Sequence, residues 1–410
     1  MIGNEAGDAD SIVSAIALAY VESVIGTESR GPKTPIISIP RADFASQRPE
    51  TYLLLELAGV SNPEDHLHFV SEHGKLQNVS FPLDVTLVDH NLMTPVLVRH
   101  KSDHFKVVEI VDHHVDRRHY KLTCPGPPAR TVAFVHGSAL VASTCTLVAE
   151  RLKVLCTETP YPFSIGLLLL GVILLDSVNL SPDVGKVTGR DIKAVKDLLH
   201  HTDWDLQQMS TAAKTALGAP LETATVDSWR PNTTTLFQAL QDAKYSPSFW
   251  KSLSAEDALW YDYKDFSCGS TKKAAKESIT FGVATILMPF ADFVQKMDTI
   301  VSVKSFLGEN DISLLVIMFA YQQEGKLHRE LVFCSMDSEL LNSLLDYLWQ
   351  EGHGQELLQL RELPVGIIAD EDSGQLQIRY FVQDNVQPSR KQIGPILQQY
   401  FCPTHAAILG

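Results

Sequence analysis

The strongest constraint on the fold is a pair of short β-branched runs, each ending in an acid followed by histidine. Val85 to Val88 leads into Asp89-His90-Asn91, and Val107 to Val111 leads into Asp112-His113-His114. Runs of this kind are buried in parallel sheets. Their ends matter as much as their interiors, because open α/β sheets bind ligands beyond the carboxyl ends of their strands. One Asp-His pair carries no information. Two of them, 23 residues apart at positions 89 and 112, with Asp8-Ala9-Asp10 upstream, form a joint signal.

Helical patterns separate these runs. Asp10 to Tyr20, Gly137 to Leu152 and Pro162 to Asp176 read as helices, and Thr188 with Asp191 reads as a helix start. Thr34 to Ile39 is a further short β-type run. The alternation predicts an α/β fold with a parallel sheet and helices on both faces over residues 1–202. Residues 203–232 are weakly patterned and read as a linker or hinge. Residues 233–410 predict a smaller α/β domain with a mixed sheet. Its expected strands are Ser278 to Leu287, Asp311 to Gln322, Glu330 to Cys334, Pro364 to Ala369 and Gln375 to Val382. Loops are expected at Gly325 and at Asp372-Ser373-Gly374. Its helices are expected at Phe290 to Lys304, at Asp337 to Trp349 with Asp337 as N-cap, and from Ser389 onward.

The acids can do chemistry together. If the stretch before the first helix is a loop, Asp8 and Asp10 point into one cleft; either also suits helix N-capping. Asp176 ends the apolar stretch Ile165 to Leu175. Carboxylates with one or two imidazoles suit Mg²⁺, Mn²⁺ or Co²⁺ rather than a soft thiolate site. Two such ions bridged by a carboxylate activate water and screen a phosphoryl group. Near the end of the chain, Ser389-Arg390-Lys391-Gln392 opens a helix. Two cations there oppose the macrodipole, yet with the open N–H groups they suit a phosphate. Lys264, in Tyr261-Asp262-Tyr263-Lys264, is a further cationic candidate. Tyr261, Tyr263 and Phe134 are core residues or platforms for a base.

The net charge of −15 argues against nucleic-acid polymers and anionic membranes as partners. The longest apolar run is too short to span a bilayer, and the N-terminus carries no secretory pattern. Six scattered cysteines with no CxxC pair read as reduced thiols, and a cytoplasmic location is expected.

Asn4-Glu5-Ala6-Gly7-Asp8-Ala9-Asp10-Ser11, Asp89-His90-Asn91, Asp112-His113-His114, Asp176 and Ser389-Arg390-Lys391-Gln392 together resemble the DHH phosphoesterase superfamily. They resemble most the branch of prune proteins, eukaryotic exopolyphosphatases and family II pyrophosphatases. The resemblance spans nearly the whole chain. It implies an active site in the interdomain cleft, completed by domain closure. Asp8, Asp10, Asp89, His113 and Asp176 would bind two divalent cations, Mg or Mn, with Co as a third candidate. His114 would act on substrate or as proton donor, with Asp112 beside it. Arg390, Lys391 and Lys264 would grip phosphates, and His90 is a further substrate-binding candidate. The implied substrate is a small polyanion. The implied activity is hydrolysis of short polyphosphates, with cyclic-nucleotide phosphodiesterase as the alternative. A third reading is a regulatory partner of nucleoside diphosphate kinase. Asn4 stands where the pyrophosphatases carry a histidine ligand, which admits Mg²⁺ beside Mn²⁺ and disfavours pyrophosphate as substrate. Only Met1 and Ile2 precede the first motif, so the family's first strand is expected to be largely missing, leaving a less stable and less active form.

Overall fold

In a computed structural model of the chain, the described residues are 1–25, 33–70, 83–93, 105–182, 185–207, 209–220, 229–268, 279–324, 326–364 and 376–402. The chain divides into two compact units, Met1–Lys244 and Tyr245–Gly410.

The first unit is built on a parallel sheet. Its spatial order is His68–Phe69, Ile36–Ile37, Ile2, Leu83–Val88, Phe105–Asp112 and Arg130–Val132. The expected gap at the first strand is closed by two residues. Ile2 N donates to Thr86 O (3.0 Å), Val88 N to Ile2 O (2.9 Å) and Ile36 N to Met1 O (2.8 Å). Ile2 is 4% exposed, packed with Leu87, Ile110 and Met93. Alternation along the two long strands sends Leu87 and Ile110 to this face, and Val88 and Val111 to the other. Helices Ala9–Tyr20, Pro49–Leu57, Thr144–Leu155 and Phe163–Asp176 share the core with Val88 and Val111. Phe163–Asp176 is apolar all round, and ten of its residues are buried, because other helices surround it. Helices on both faces were expected. Among the described residues the Leu87 face is covered by loop side chains such as Met93, Tyr120 and Cys124.

Several boundaries move for local reasons. The helix expected from Gly137 begins at Thr144, where the Ser143 side chain accepts from Cys145 N. Gly137 instead has φ +79° in the turn between Phe134–Val135 and Ser138–Ala139, a conformation that favours glycine. The expected linker contains a helix, Thr211–Ala216, and residues 221–228 within it lie outside the described residues. Helix Thr233–Lys244, assigned by sequence to the second domain, buries Leu236 and Leu240 in the core of the first unit.

The second unit has a six-stranded mixed sheet. Its order is Leu360–Leu363, Gln377–Gln383, Lys326–Ser335, Leu314–Gln323, Ile279–Ile286 and Tyr263–Cys268. Only Leu314–Gln323 and Ile279–Ile286 pair in parallel. Leu314, Val316 and Met318 face helices Ser338–Gln350 and Arg390–Phe401. Leu315, Ile317 and Phe319 face the other way, into the core that holds Ala258, Phe293 and Phe306. Asp337 caps its helix as expected, accepting from Glu339 N and Leu340 N. The helix expected over 290–304 is two, Phe290–Phe293 and Thr299–Glu309, with Thr299 Oγ1 donating to Phe293 O (2.8 Å) at the break. The strand expected at 364–369, Gly325 and the turn at 372–374 fall on residues outside those described, apart from Pro364, which follows strand Leu360–Leu363.

Cys124, Cys145, Cys156 and Cys334 are free thiols. Cys402, which ends the last helix, is disulfide-bonded, so the expectation of reduced thiols fails there. Among the described residues no helix is long and apolar enough to cross a membrane.

The pairing through Ile2 yields a test. Replacing Ile2 with Ala should lower stability by about 2–5 kcal/mol, the range for truncating a buried Ile. Urea unfolding followed by circular dichroism measures it, and an unchanged midpoint would show that this bridge does not hold the sheet.

Candidate functional site

The site lies at the carboxyl ends of the two central strands. Asp89 follows strand Leu83–Val88 with φ 63°, a left-handed conformation that ordinary residues seldom adopt. Both of its oxygens are held: Asn4 Nδ2 donates to Oδ2 (2.7 Å) and Thr144 Oγ1 to Oδ1 (2.9 Å). Asp10 comes from the first helix and meets the start of helix Thr144–Leu155. It accepts from Ser143 Oγ (2.6 Å), Thr144 N (2.7 Å), Cys145 N (2.9 Å) and Ser14 Oγ (3.2 Å). A carboxylate suits that position, since helix N-terminal N–H groups lack intrahelical partners.

The histidines follow strand Phe105–Asp112. His113 Nδ1 is 3.1 Å from Val141 O, a contact that assigns a proton to that nitrogen and turns Nε2 toward the acids. Nε2 lies 3.5 Å from Asp89 Oδ1 and 3.7 Å from Asp10 Oδ2. His114 Nδ1 donates to Asp112 Oδ1 (2.8 Å) and lies 3.5 Å from Asp89 Oδ1. Asp112 also accepts from His113 N (2.7 Å), His114 N (3.1 Å) and Asn91 Nδ2. Burial alone would raise the Asp112 carboxyl. The charge and hydrogen bond of His114, with His113 and Asn91, outweigh it and hold the group below the usual carboxylate range. Asp10 goes the other way: burial raises it, Asp8 adds to the rise, and its donors only oppose it.

These facts fit a divalent cation. One donor atom each from Asp89, His113 and His114 lie within 4.8 Å of one another. Asp10, Asp89 and Asp112 are 5%, 2% and 0% exposed. Burying so many carboxylates together is costly without a cation to balance them. The donors are carboxylate oxygens and imidazoles, a set that suits a divalent cation.

The remaining expected residues differ in placement. Asp8 does cap the first helix, accepting from Ser11 N (3.0 Å), and its charge acts on Asp10. Asp176 ends helix Phe163–Asp176, and its charge acts on the Cys145 thiol, which lies 3.2 Å from Ser14 Oγ. His90 turns its Nδ1 to Val88 O (2.9 Å). Asn4 is not a spare amide ligand: besides bonding Asp89, its Oδ1 accepts from Gly7 N (3.0 Å). Tyr261 packs on Trp250, and Tyr263 on Trp260 and Phe306, so both rings belong to the core. A cavity of about 780 Å³ in the first unit contains none of the acidic set. It is lined by Tyr161, His201, Trp204 and Trp229 at the start of helix Phe163–Asp176. Fourteen residues of helix put it roughly 20 Å from Asp176.

Sequence reasoning missed several supports. Arg48 is 1% exposed and donates to Gly7 O (2.7 Å) and Ala6 O, pinning the loop from Asn4 to Asp8. Gly3 admits no side chain, because a Cβ would lie 2.0 Å from Ser11 Oγ, which accepts from Asn4 N. Thr144, Ser143 and Asn91 hold the acids. Only Asn91 stood in a motif already noted; the others needed the fold to bring them near.

In the second unit Arg390 and Lys264 stand on elements that pack together. Arg390–Phe401 starts with Ser389, whose N–H donates to Gln392 Oε1 (2.9 Å). Arg390 Nη1 lies 2.8 Å from both the carbonyl oxygen and Oδ1 of Asp262. Strand Tyr263–Cys268 follows, and alternation puts Asp262, Lys264 and Phe266 on one face. Phe266 lies against Gly394 of the same helix, so Lys264 faces the helix start that carries Lys391.

A parallel sheet with acids and imidazoles at its strand ends, followed by a mixed-sheet unit, is the arrangement that the resemblance to the DHH superfamily implies. Residues 238–400 match the DHHA2 domain. The fold is shared with a Methanococcus jannaschii protein assigned to the family II inorganic pyrophosphatases, with TM-score 0.56, 18% identity and 97% of both chains covered. The chain is also similar to prune proteins. It is 28% identical over 406 residues to exopolyphosphatase PRUNE1 of Mus musculus and 26% over 414 residues to that of Homo sapiens. Each alignment covers 97% of this chain and 74% of the relative.

Thr144→Val keeps the shape of the side chain and removes the donor to Asp89. Groups that orient a metal ligand typically contribute tenfold to a hundredfold in affinity. Titration calorimetry with Mn²⁺ should therefore show about tenfold weaker binding in this variant. Asp89→Ala should lose measurable binding. Unchanged Mn²⁺ affinity in both would remove the metal reading of this cluster.

Proposed function

We propose that the chain is a divalent-cation-dependent hydrolase of phosphoanhydride bonds in short inorganic polyphosphates. The observation that carries the reading is the convergence of buried Asp10, Asp89 and His113 with half-buried His114 at the strand ends. The naming of its relatives as exopolyphosphatases supports the substrate class. Asp89 and His113, with Asp8, Asp10 and Asp176, are the residues to hold two Mg²⁺ or Mn²⁺ ions. Such ions supply an activated water and positive charge on the reacting phosphoryl group.

The chain's own residues do the rest. Asn4 and Thr144 fix the Asp89 oxygens, so no reorganisation is needed there. The Asp112 bond keeps the proton of His114 on Nδ1 and directs Nε2 outward, ready to exchange a proton with a phosphate oxygen. Arg390, Lys391 and Lys264 take the charge of the phosphates that do not react. Phosphoryl transfer relies mainly on such positioning and electrostatics.

The test is phosphate release from tripolyphosphate with Mg²⁺ or Mn²⁺, run beside cyclic AMP hydrolysis. Activity should require the ion and vanish with EDTA. It should fall by about a hundredfold or more in Asp89→Ala and in Asp112→Ala. Wild-type rates in both variants would overturn the proposal, and faster turnover of cyclic AMP than of tripolyphosphate would replace its substrate.

A further inference from the structure

Arg390 is the expected phosphate-binding residue with a protein anion at contact distance. Its Nη1 is 2.8 Å from Asp262 Oδ1 and 2.8 Å from the Asp262 carbonyl oxygen. That carbonyl also accepts from Thr285 N (3.0 Å), so the sheet fixes Asp262 in place. The pair is mostly shielded, with the Arg390 side chain 18% exposed and that of Asp262 26%. Arginine binds phosphate best through two parallel N–H groups. Holding Nη1 against Asp262 orients the guanidinium and leaves the edge formed by Nε and Nη2 for that role.

Charge gives a second consequence. Asp262 offsets one positive charge at Arg390. An Arg390 without that counter-ion would bind substrate and product alike more tightly. Uniform tightening of that kind lowers KM without speeding chemistry, and it slows release of product.

We propose that Asp262 is a positioning residue and fixed counter-ion for Arg390, orienting it for phosphate while offsetting its charge so that product phosphate leaves. This rests on the polyphosphate reading. The side chains involved are Asp262 and Arg390, both in the second unit.

The experiment uses the full chain with Mg²⁺. Asp262→Asn keeps the size and the backbone carbonyl and removes the charge. It should lower both the KM for tripolyphosphate and the inhibition constant of orthophosphate, by roughly three- to tenfold, as expected for one unit charge a few ångströms away in partly screened surroundings. Turnover should not rise, and the difference should shrink as salt is raised. Asp262→Glu should behave as wild type. In an Arg390→Ala background, Asp262→Asn should change neither constant by more than about twofold, because the interaction it removes is already gone. A merely structural role for Asp262 would give the same change in both backgrounds, so that result overturns the inference. An increased KM, or unchanged phosphate inhibition, in Asp262→Asn also overturns it. Calorimetric binding of tripolyphosphate separates the two levels of the claim. Wild-type binding by Arg390→Ala would defeat the phosphate-binding reading itself. Weakened binding by Arg390→Ala, with no tightening by Asp262→Asn, would defeat only the counter-ion.

Discussion

Buried carboxylates are the constraint on which the rest of the first unit depends. Asp10, Asp89 and Asp112 are nearly inaccessible, and each stands at the end or beginning of a regular element. An ionised carboxylate out of water needs donors or a cation. The fold supplies donors from distant positions. Helix Thr144–Leu155 begins where its first N–H groups meet Asp10, and its first hydroxyl meets Asp89. Asn91 and two backbone N–H groups meet Asp112. A related device positions that helix from behind: Asp191 accepts from Ala142 N and Thr146 Oγ1 while also capping its own helix with Thr188.

The two ends of the chemistry are supported differently. In the first unit, rigidity comes from backbone. Ile2 joins two parts of the sheet, Gly3 allows the chain to pass against Ser11, and Arg48 ties down the loop that carries Asn4 and Asp8. In the second unit, Lys264 and Arg390 stand on a strand and at a helix start. Their order comes from the packing of Phe266 against Gly394 and from the Asp262 contact to Arg390. Preorganised groups of both kinds let electrostatics act without rearrangement at the moment of reaction.

Much of this was legible before any coordinates. The ends of the two central strands, the helix that precedes them and the capped helices at Thr188 and Asp337 all follow from local pattern, and local pattern is written in contiguous residues. The boundary at Lys244 was not legible, because Leu236 and Leu240 look the same whichever core they enter. The start at Thr144 was obscured by apolar residues from Ala139 to Ala142 that continue the helical pattern through a turn. Arg48 reads as an ordinary charge in sequence, and only burial against two carbonyl groups marks it. The disulfide at Cys402 left no local trace either.

The sequence by itself determined which atoms are available: the carboxylates and imidazoles at strand ends, the cations opening the last helix, and the alternation that makes a parallel sheet. Those choices depend on neighbours within a few positions, so they survive without a fold. The tertiary structure decided which of them meet and in what state. It put Thr144 and Asn4 on Asp89, turned His113 by its bond to Val141, and set Asp262 against Arg390. Each of these pairs is separated by 28 to 128 residues along the chain, and distance in sequence carries no record of proximity in space.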